Sequence, residues 1–333
     1  MDPRPLPPAL LLGRRDVAAL LDLDELIAAV EGAFLSQARG EARGPAVASL
    51  DAGPGTFHAK GAGLGGVAPR AAFKVNGNFP GNPERYGLPT IQGVIVLADA
   101  ANGAVLAILD SIEITALRTA AVTAVAARRL VAPGVRRALI VGCGVQGRAH
   151  ARALPRVLSG AELLVYDVVP ERGAALAERL DGDSGLACRA VEDLEEGVRT
   201  SQVVVTCTTA ARPFLSADLV AQGALVAAVG ADNPRKQELD PRLMARARVV
   251  VDDLEQCAEG GELRHALAAG LLHREDVAAT LADVVAGRRP GRAAASDIVV
   301  FDSTGVAIAD LAAAGMVYER GRARGAGSWI DLG

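Results

Sequence analysis

Apolar residues recur at helical spacing between residues 24 and 39, where Leu26, Ile27, Val30, Phe34 and Leu35 predict an amphipathic helix. From about residue 45 to 110 the runs shorten. "AAFKVN", "IQGVIVLAD" and "AVLAILD" read as strands broken by the turns "PGNPERYG" and "AANG". "SIEITALRTAAVTAVAARRLVA" reads as a long helix, with Pro133 and Gly134 just past its end. From residue 136 the period changes. Nearly continuous apolar runs, "ALIVG", "ELLVYD", "SQVVVTC", "ALVAAVG" and "ARVVVDD", alternate with helical segments. That alternation predicts a parallel sheet covered on both faces. A loop at 286 to 296 precedes "DIVVFDSTGVAIADLAAAGMVYERG", a strand, a turn and a helix. The arginines of that loop read as solvated surface. The Gly/Arg-rich end, "GRARGAGSWIDLG", reads as a mobile or partner-bound tail.

Length and composition narrow the class. A chain of 333 residues is long for one core and predicts two domains. With 3% aromatic residues, the core must be built mainly from Ala, Val and Leu. A formal net charge of -4 and the lack of a basic stripe argue against a nucleic-acid partner. No uncharged apolar run approaches the roughly 18 residues of a membrane span, and the short N-terminal apolar run lacks the features of a secretory signal. Cys143, Cys188, Cys207 and Cys257 show no CxxC spacing and read as buried thiols in a reducing compartment. The four histidines form no metal-binding motif. A cytoplasmic location, with no membrane and no metal, is expected.

The sharpest local signal is "LIVGCGVQGRAH". Gly142, Gly144 and Gly147 form a GxGxxG between an apolar strand and a helix, and the next strand ends in Asp167, 25 residues after Gly142. Such glycines permit a tight turn, close approach to a pyrophosphate and tight helix–strand packing. The helix N-terminus offers free N–H groups to phosphates. Asp167 would accept from both ribose hydroxyls and repel a 2′-phosphate, which favours NAD over NADP; Arg172 is the nearby residue that opposes this. The plain alternative is a strand–helix turn with no ligand.

Asp232, in "VGADNPRKQELD", follows the fifth apolar run and lies, by topology, where ligands sit in open α/β sheets. It could equally cap the turn at "ADNP". Thr206 and Thr208 end the fourth run. Lys74 is either a solvated strand lysine or a functional one, and Arg118 is similarly open in an Ala-rich helix.

Taken together, "FKVNGNFPGN", "GLPTIQGVIVLAD", "IEITALRTAA", "IVGCGVQG", "VGADNPRKQELD" and "IVVFDSTGVAIADL" resemble the ornithine cyclodeaminase/mu-crystallin family over residues 24 to 325. The resemblance implies a Rossmann-type doubly wound parallel sheet at 116–304. It also implies a mixed α+β dimerisation and substrate domain from 1–115 and 305–333, and a homodimer. By the same resemblance Asp232 is the acid/base, and Lys74 and Arg118 hold the carboxylate of an amino- or imino-acid substrate. The implied NAD contacts are Thr90, Arg118, Val145, Gln146, Asp167, Thr208, Val226, Ala227, Ala228, Val229, Lys236 and Ser303, beside the three glycines, with Thr304 on the substrate side.

The chemistry fits these residue types. A cationic pair fixes the carboxylate, and a base must take the amine proton before hydride can leave Cα. The resulting imine can be hydrolysed, as in a dehydrogenase, or attacked by a side-chain amine, as in a cyclodeaminase; the reverse reaction is imine reduction. Ala46, in "PAVASLD", stands where the ornithine enzymes place an arginine, and Phe57 where they place an acid. Arg43 lies on the wrong side of Pro45, and Lys60 is the candidate replacement. An NAD-dependent amino-acid dehydrogenase or imine reductase is therefore expected over an ornithine cyclodeaminase. A non-enzymatic crystallin-like binder of nucleotide or hormone is the alternative from another class, and Asp232 argues against it, since mu-crystallins lack an acid there.

Overall fold

The computed structural model describes residues 7–181 and 187–332, so the first six residues of the N-terminal run and the final glycine of the C-terminal tail lie outside it. The chain divides into two units, Met1–Arg118 with Val306–Gly333, and Thr119–Gly305. Among the described residues, no helix is long and apolar enough to cross a membrane.

The first unit is a mixed sheet. Its strands are β1 (Ala9–Leu12), β2 (Ala42–Asp51), β3 (Thr56–Leu64), β4 (Arg70–Asn78), β5 (Ile91–Asp99) and β6 (Val105–Asp110), and the last strand of the whole chain, β15 (Ser328–Ile330), completes it. The order is β15-β1-β6-β5-β4-β3-β2, antiparallel except where β1 runs parallel to β6. In β4 the period of two is visible in burial: Ala72, Lys74 and Asn76 are buried while Phe73 and Val75 are exposed. The buried side is covered by the C-terminal helix Ala307–Arg324, which packs on β3 and β4 and is backed by the helix Leu23–Ala38. Its Ala309, Ala313 and Ala314 are fully buried, the small side chains letting it approach the sheet closely.

The opposite side carries Leu50, Phe57, Phe73, Val75 and Val94, all exposed. Cross-strand register places Leu50 opposite Phe57, Phe73 opposite Val96 and Val75 opposite Val94, so these side chains share one face. The helix after Gly305 packs its apolar face on β3 and β4 within its own unit. The expected mobile tail differs. The helix ends at Gly325, and the chain turns back through Gly327, φ 79°, where a Cβ would lie 2.5 Å from Leu11 O. Ser328 to Ile330 then pair with β1, giving the N-terminal apolar run a strand partner.

The second unit is an eight-stranded parallel sheet formed by β7 (Arg137–Val141), β8 (Glu162–Tyr166), β9 (Cys188–Ala190), β10 (Val203–Thr206), β11 (Leu225–Ala228), β12 (Arg248–Val251), β13 (Ala279–Thr280) and β14 (Val299–Asp302). The order β13-β12-β14-β11-β10-β7-β8-β9 reverses direction between β7 and β10, the doubly wound arrangement. Leu139, Val141, Val204, Val226 and Val300 pack in its core. The central strands are rich in Val, Leu, Ile and Ala and buried, as helices on both faces require, whereas the edge strand β9 is half-exposed.

The loop at 286 to 296 is not simply solvated. Arg292 donates to Leu130 O at 2.7 Å, to Ala224 O at 3.3 Å and to Asp297 O, and Arg248 donates to Pro290 O and Gly291 O at 2.9 and 3.0 Å. A guanidinium carries enough donors to serve several carbonyls at once. The thiols also differ from expectation: Cys143 and Cys257 are buried, but Cys188 and Cys207 only half so.

Candidate active site

In the first unit the chemistry gathers on the buried side of β3 and β4. Lys74 sits opposite Lys60 across the strands, so both project toward the C-terminal helix. Two lysines so placed repel each other unless an anion intervenes. That anion is Asp310, in the first turn of the helix. Lys74 Nζ reaches its Oδ2 at 2.8 Å and donates to Oδ1 at 2.9 Å, and Arg118 Nε lies 2.8 Å from Oδ1. The Lys74 and Asp310 side chains are 6% and 2% exposed, so little water screens them. Burial pushes the Lys74 ammonium down to about 8; Asp310 opposes this shift, and Arg118 and Lys60 add to it. Burial would raise the Asp310 carboxyl, but Arg118, Lys74 and Lys60 hold it below the usual carboxylate range. Arg118 Nη1 is buried with no hydrogen-bond partner among the described residues. The cluster thus has a cationic side still able to take an anion. Nearby, the Ser111 hydroxyl donates to Asn76 Oδ1 at 2.6 Å, fixing β4 to the start of the helix that carries Arg118. Thr90, half-buried, is held by its carbonyl, which accepts from Phe79 N at 2.8 Å.

Ala46 and Phe57 stand elsewhere. Ala46 pairs with Gly61 and Phe57 with Leu50, one and three register steps from the pair of Val47 and Lys60. Adjacent strand positions face opposite sides, so positions 46 and 57 lie on the exposed face, whereas Lys60 and Lys74 lie on the buried one. Lys60 is therefore no substitute in place for an arginine at 46, and the two substitutions do not alter the Lys74 cluster. Phe57 instead packs edge-on against Phe79, ring centroids 5.3 Å apart.

In the second unit the candidates line the C-terminal ends of the strands. Gly142, φ 103°, follows β7, and a Cβ there would lie 3.0 Å from Cys207 O. A Cβ on Gly147 would lie 2.0 Å from Gly142 O, so helix and strand meet as closely as the motif requires. A Cβ on Gly144 would meet nothing within 4 Å, and Gly144 caps the helix Val145–Ala153 without a side chain. This leaves open space over helix N–H groups, which suits a phosphate. Asp167 follows β8; its carboxylate accepts from Cys143 N at 2.8 Å and Val169 N at 3.0 Å. Its orientation is thus fixed by the glycine turn, with lone pairs left for ribose hydroxyls. Arg172 is exposed. These residues fit a dinucleotide such as NAD.

Asp232 is about half exposed, accepts from Asn233 Nδ2 at 2.9 Å and pairs with Lys236 at 2.8 Å. The Lys236 charge is thereby engaged by Asp232. Val226, Ala227 and Ala228 are buried within β11, so their side chains belong to the core; Val229 alone is half-buried past the strand end. Ser303 is also committed, its hydroxyl donating to Asp252 Oδ2 at 2.8 Å, and Thr304 is buried beside it. Burial pushes the Cys143 thiol up to about 12 and raises Cys207 as well, which makes both poor nucleophiles.

Reading the sequence missed the buried carboxylates. Asp310 interrupts an apolar run, "VAIADLAAAG", and a charge there needs a partner. Glu238, Asp252, Glu262 and Asp302 are buried in the second unit, and none forms an ion pair among the described residues. They accept mainly from backbone N–H groups instead. Burial pushes Glu262 up to about 8 and Asp302 up to about 7.

Comparison with known proteins places this geometry. The model of the ornithine cyclodeaminase/mu-crystallin family matches residues 9–325. An alanine dehydrogenase from Archaeoglobus fulgidus is 38% identical over 323 residues, covering 97% of this chain and 98% of the relative. Among solved structures, an archaeal alanine dehydrogenase dimer with bound NAD superposes with a TM-score of 0.93 at 36% identity, over 98% of this chain and 100% of that one. The Δ1-pyrroline-2-carboxylate reductase of Thermococcus litoralis, in complex with NADH and L-proline, has a TM-score of 0.91 at 31% identity, over 96% and 99% of the two chains.

Replacing Asp310 tests the cluster. Asp310→Asn leaves two buried cations without their anion, a loss of about 3–5 kcal/mol for a broken buried pair, read by urea unfolding at pH 7. Because the folded carboxyl lies below its unfolded range, its contribution is present at neutral pH and vanishes as pH falls through the folded value. The gap between wild type and variant should therefore close at strongly acid pH. An equal gap at every pH would show that Asp310 acts by shape alone.

Proposed function

Because the chain belongs to the ornithine cyclodeaminase/mu-crystallin family, we propose that it is an NAD(H)-dependent oxidoreductase acting on the Cα–N bond of an α-amino or α-imino acid. The observation that carries this reading is the buried cationic cluster of Lys74 and Arg118 around Asp310, with Arg118 Nη1 left unsatisfied. A substrate carboxylate is the anion such a cluster accepts, and the guanidinium supplies paired donors for it. Lys60, on the same face of the sheet, adds positive potential. Asp310 keeps Lys74 and Arg118 oriented before substrate arrives, so less ordering remains to be done on binding.

Gly142, Gly144, Gly147, Val145 and Gln146 would hold the pyrophosphate of NAD, Asp167 the adenosine ribose, and Thr208, Val229 and Lys236 other parts of the nucleotide. Thr90, Ser303 and Thr304 are assigned by resemblance alone. Bound NAD supplies the hydride acceptor for an amino acid, and NADH the donor for an imine. Asp232 serves as the base that takes the α-amine proton, or the acid that returns it to the imine nitrogen. Lys236 pairs with Asp232 at 2.8 Å. Dehydrogenation or imine reduction is favoured over cyclodeamination because the alanine dehydrogenase and the pyrroline-2-carboxylate reductase superpose more closely than a probable ornithine cyclodeaminase from Bordetella pertussis, whose TM-score is 0.85. Ala46 and Phe57 no longer bear on that choice.

The chain also acts as a homodimer in this reading, as the archaeal relative does. The exposed apolar face with Leu50, Phe57, Phe73, Val75 and Val94 is the surface that a second copy would cover. Sedimentation at micromolar concentration should give twice the 34.1 kDa chain mass, and Phe73→Asp should shift it toward the single chain; a wild-type monomer would rule this out.

Titration with both nucleotides should show tighter binding of NAD(H) than NADP(H), since Asp167 repels a 2′-phosphate, and Asp167→Ser should narrow the gap. Tighter NADPH binding by wild type would give Arg172 the deciding role. Asp232→Asn should retain nucleotide binding and lose roughly 100- to 10,000-fold in kcat, the range for a general acid/base. Lys74→Ala should instead act mainly through KM. A near-normal rate in Asp232→Asn would return Asp232 to turn capping.

A further inference from the structure

Glu238 is fully buried, has no cationic partner among the described residues, and lies in the same loop as Asp232 and Lys236. Its carboxylate accepts three hydrogen bonds. The Thr206 hydroxyl donates to Oε2 at 2.7 Å, Thr208 N to Oε1 at 2.7 Å, and Gly230 N to Oε2 at 2.9 Å. The first two donors end β10, and the third ends β11. One carboxylate thus joins two strand ends at the edge where a doubly wound sheet binds its ligand.

The fit leaves no slack. A Cβ on Gly230 would lie 2.4 Å from the Glu238 carboxyl carbon, so only glycine lets the group reach the backbone there. Glu238 is itself held from behind: its backbone N donates to Glu262 Oε1 at 2.6 Å, and Leu239 N to Oε2 at 3.1 Å. On the other side, Thr208 Cγ2 lies 3.1 Å from where a Gly142 Cβ would be, so Thr208 packs on the glycine turn. The contacts run without a gap from the glycine turn through Thr208 to Glu238 and the loop bearing Asp232. Burying an acid costs free energy and raises the Glu238 pKa despite its donors. A glutamine would fill the same volume without that cost. It could not accept at both ends, however, and would set an N–H against a backbone N–H.

We propose that Glu238 is a positioning residue for Asp232: by fastening residues 230–238 to the ends of β10 and β11, it fixes where the Asp232–Lys236 pair stands relative to Thr208 and the glycine turn. This rests on the reading of Asp232 as the acid/base, and it requires that Glu238 act through Asp232 without touching substrate.

The test is a double-mutant cycle with a structural readout. Glu238→Gln should lower kcat 10- to 100-fold while the KM for the amino or imino acid and the Kd for NAD change less than about threefold. Added to Asp232→Asn, it should cost almost nothing more, because its only route to the chemistry is already lost. Thr206→Val, which removes one of the three donors and disturbs folding least, should show the same pattern at two- to fivefold. Amide exchange of residues 229–238 should quicken in Glu238→Gln while the rest of the second unit is unchanged. Independent, multiplying losses in the double variant, a loss in nucleotide binding with kcat kept, or unchanged exchange in the loop would each overturn the proposal. If wild type turned over no amino or imino acid, the functional reading would fail separately, and the exchange experiment would still decide whether Glu238 fastens the loop.

Discussion

The first unit depends on one buried carboxylate. Asp310 stands against Lys74 and Arg118, with Lys60 nearby, where an unpaired charge would be costly. The small residues of the C-terminal helix allow that approach, and the register of β3 and β4 puts both lysines on the side where the helix lies. A buried pair of this kind adds little net stability by itself. What it provides is orientation: two cations held in place and partly unsatisfied, which is what a carboxylate-bearing substrate needs.

The second unit handles charge in the opposite way. It buries Glu238, Asp252, Glu262 and Asp302 without an ion pair among the described residues, each accepting from backbone or hydroxyl donors. The glycine geometry and the free helix N–H groups there suit a phosphate without basic side chains. One of the acids, Glu238, gathers the backbone N–H groups of Thr208 and Gly230 on a single carboxylate.

Much of the fold was legible because its signals are local. GxGxxG followed by a strand ending in Asp167 marks the nucleotide turn wherever it occurs, and the apolar runs from Ala138 to Val251 could only be buried parallel strands. Lys74, Arg118 and Asp232 were legible as candidates through family motifs, but not their partners. The bond from Lys74 to Asp310 spans 236 residues, and no local pattern announces it. The strand at Ser328–Ile330 was unreadable for the same reason: its only justification is β1, at the other end of the chain. The placement of Ala46 and Phe57 was not legible, because a linear match does not show which face of a strand a residue occupies; the register puts both on the face away from Lys74.

The central claim is that the site moves hydride between an amino or imino carbon and NAD with net change in the cofactor. The most direct measurement follows NADH absorbance and product together, across α-amino acids with NAD and across 2-oxo acids with amines, or cyclic imines, with NADH. The proposed chemistry predicts that at least one substrate changes NADH one-for-one with its own conversion, and that L-ornithine yields little proline. Rapid formation of proline and ammonia from ornithine while NADH stays flat would contradict it.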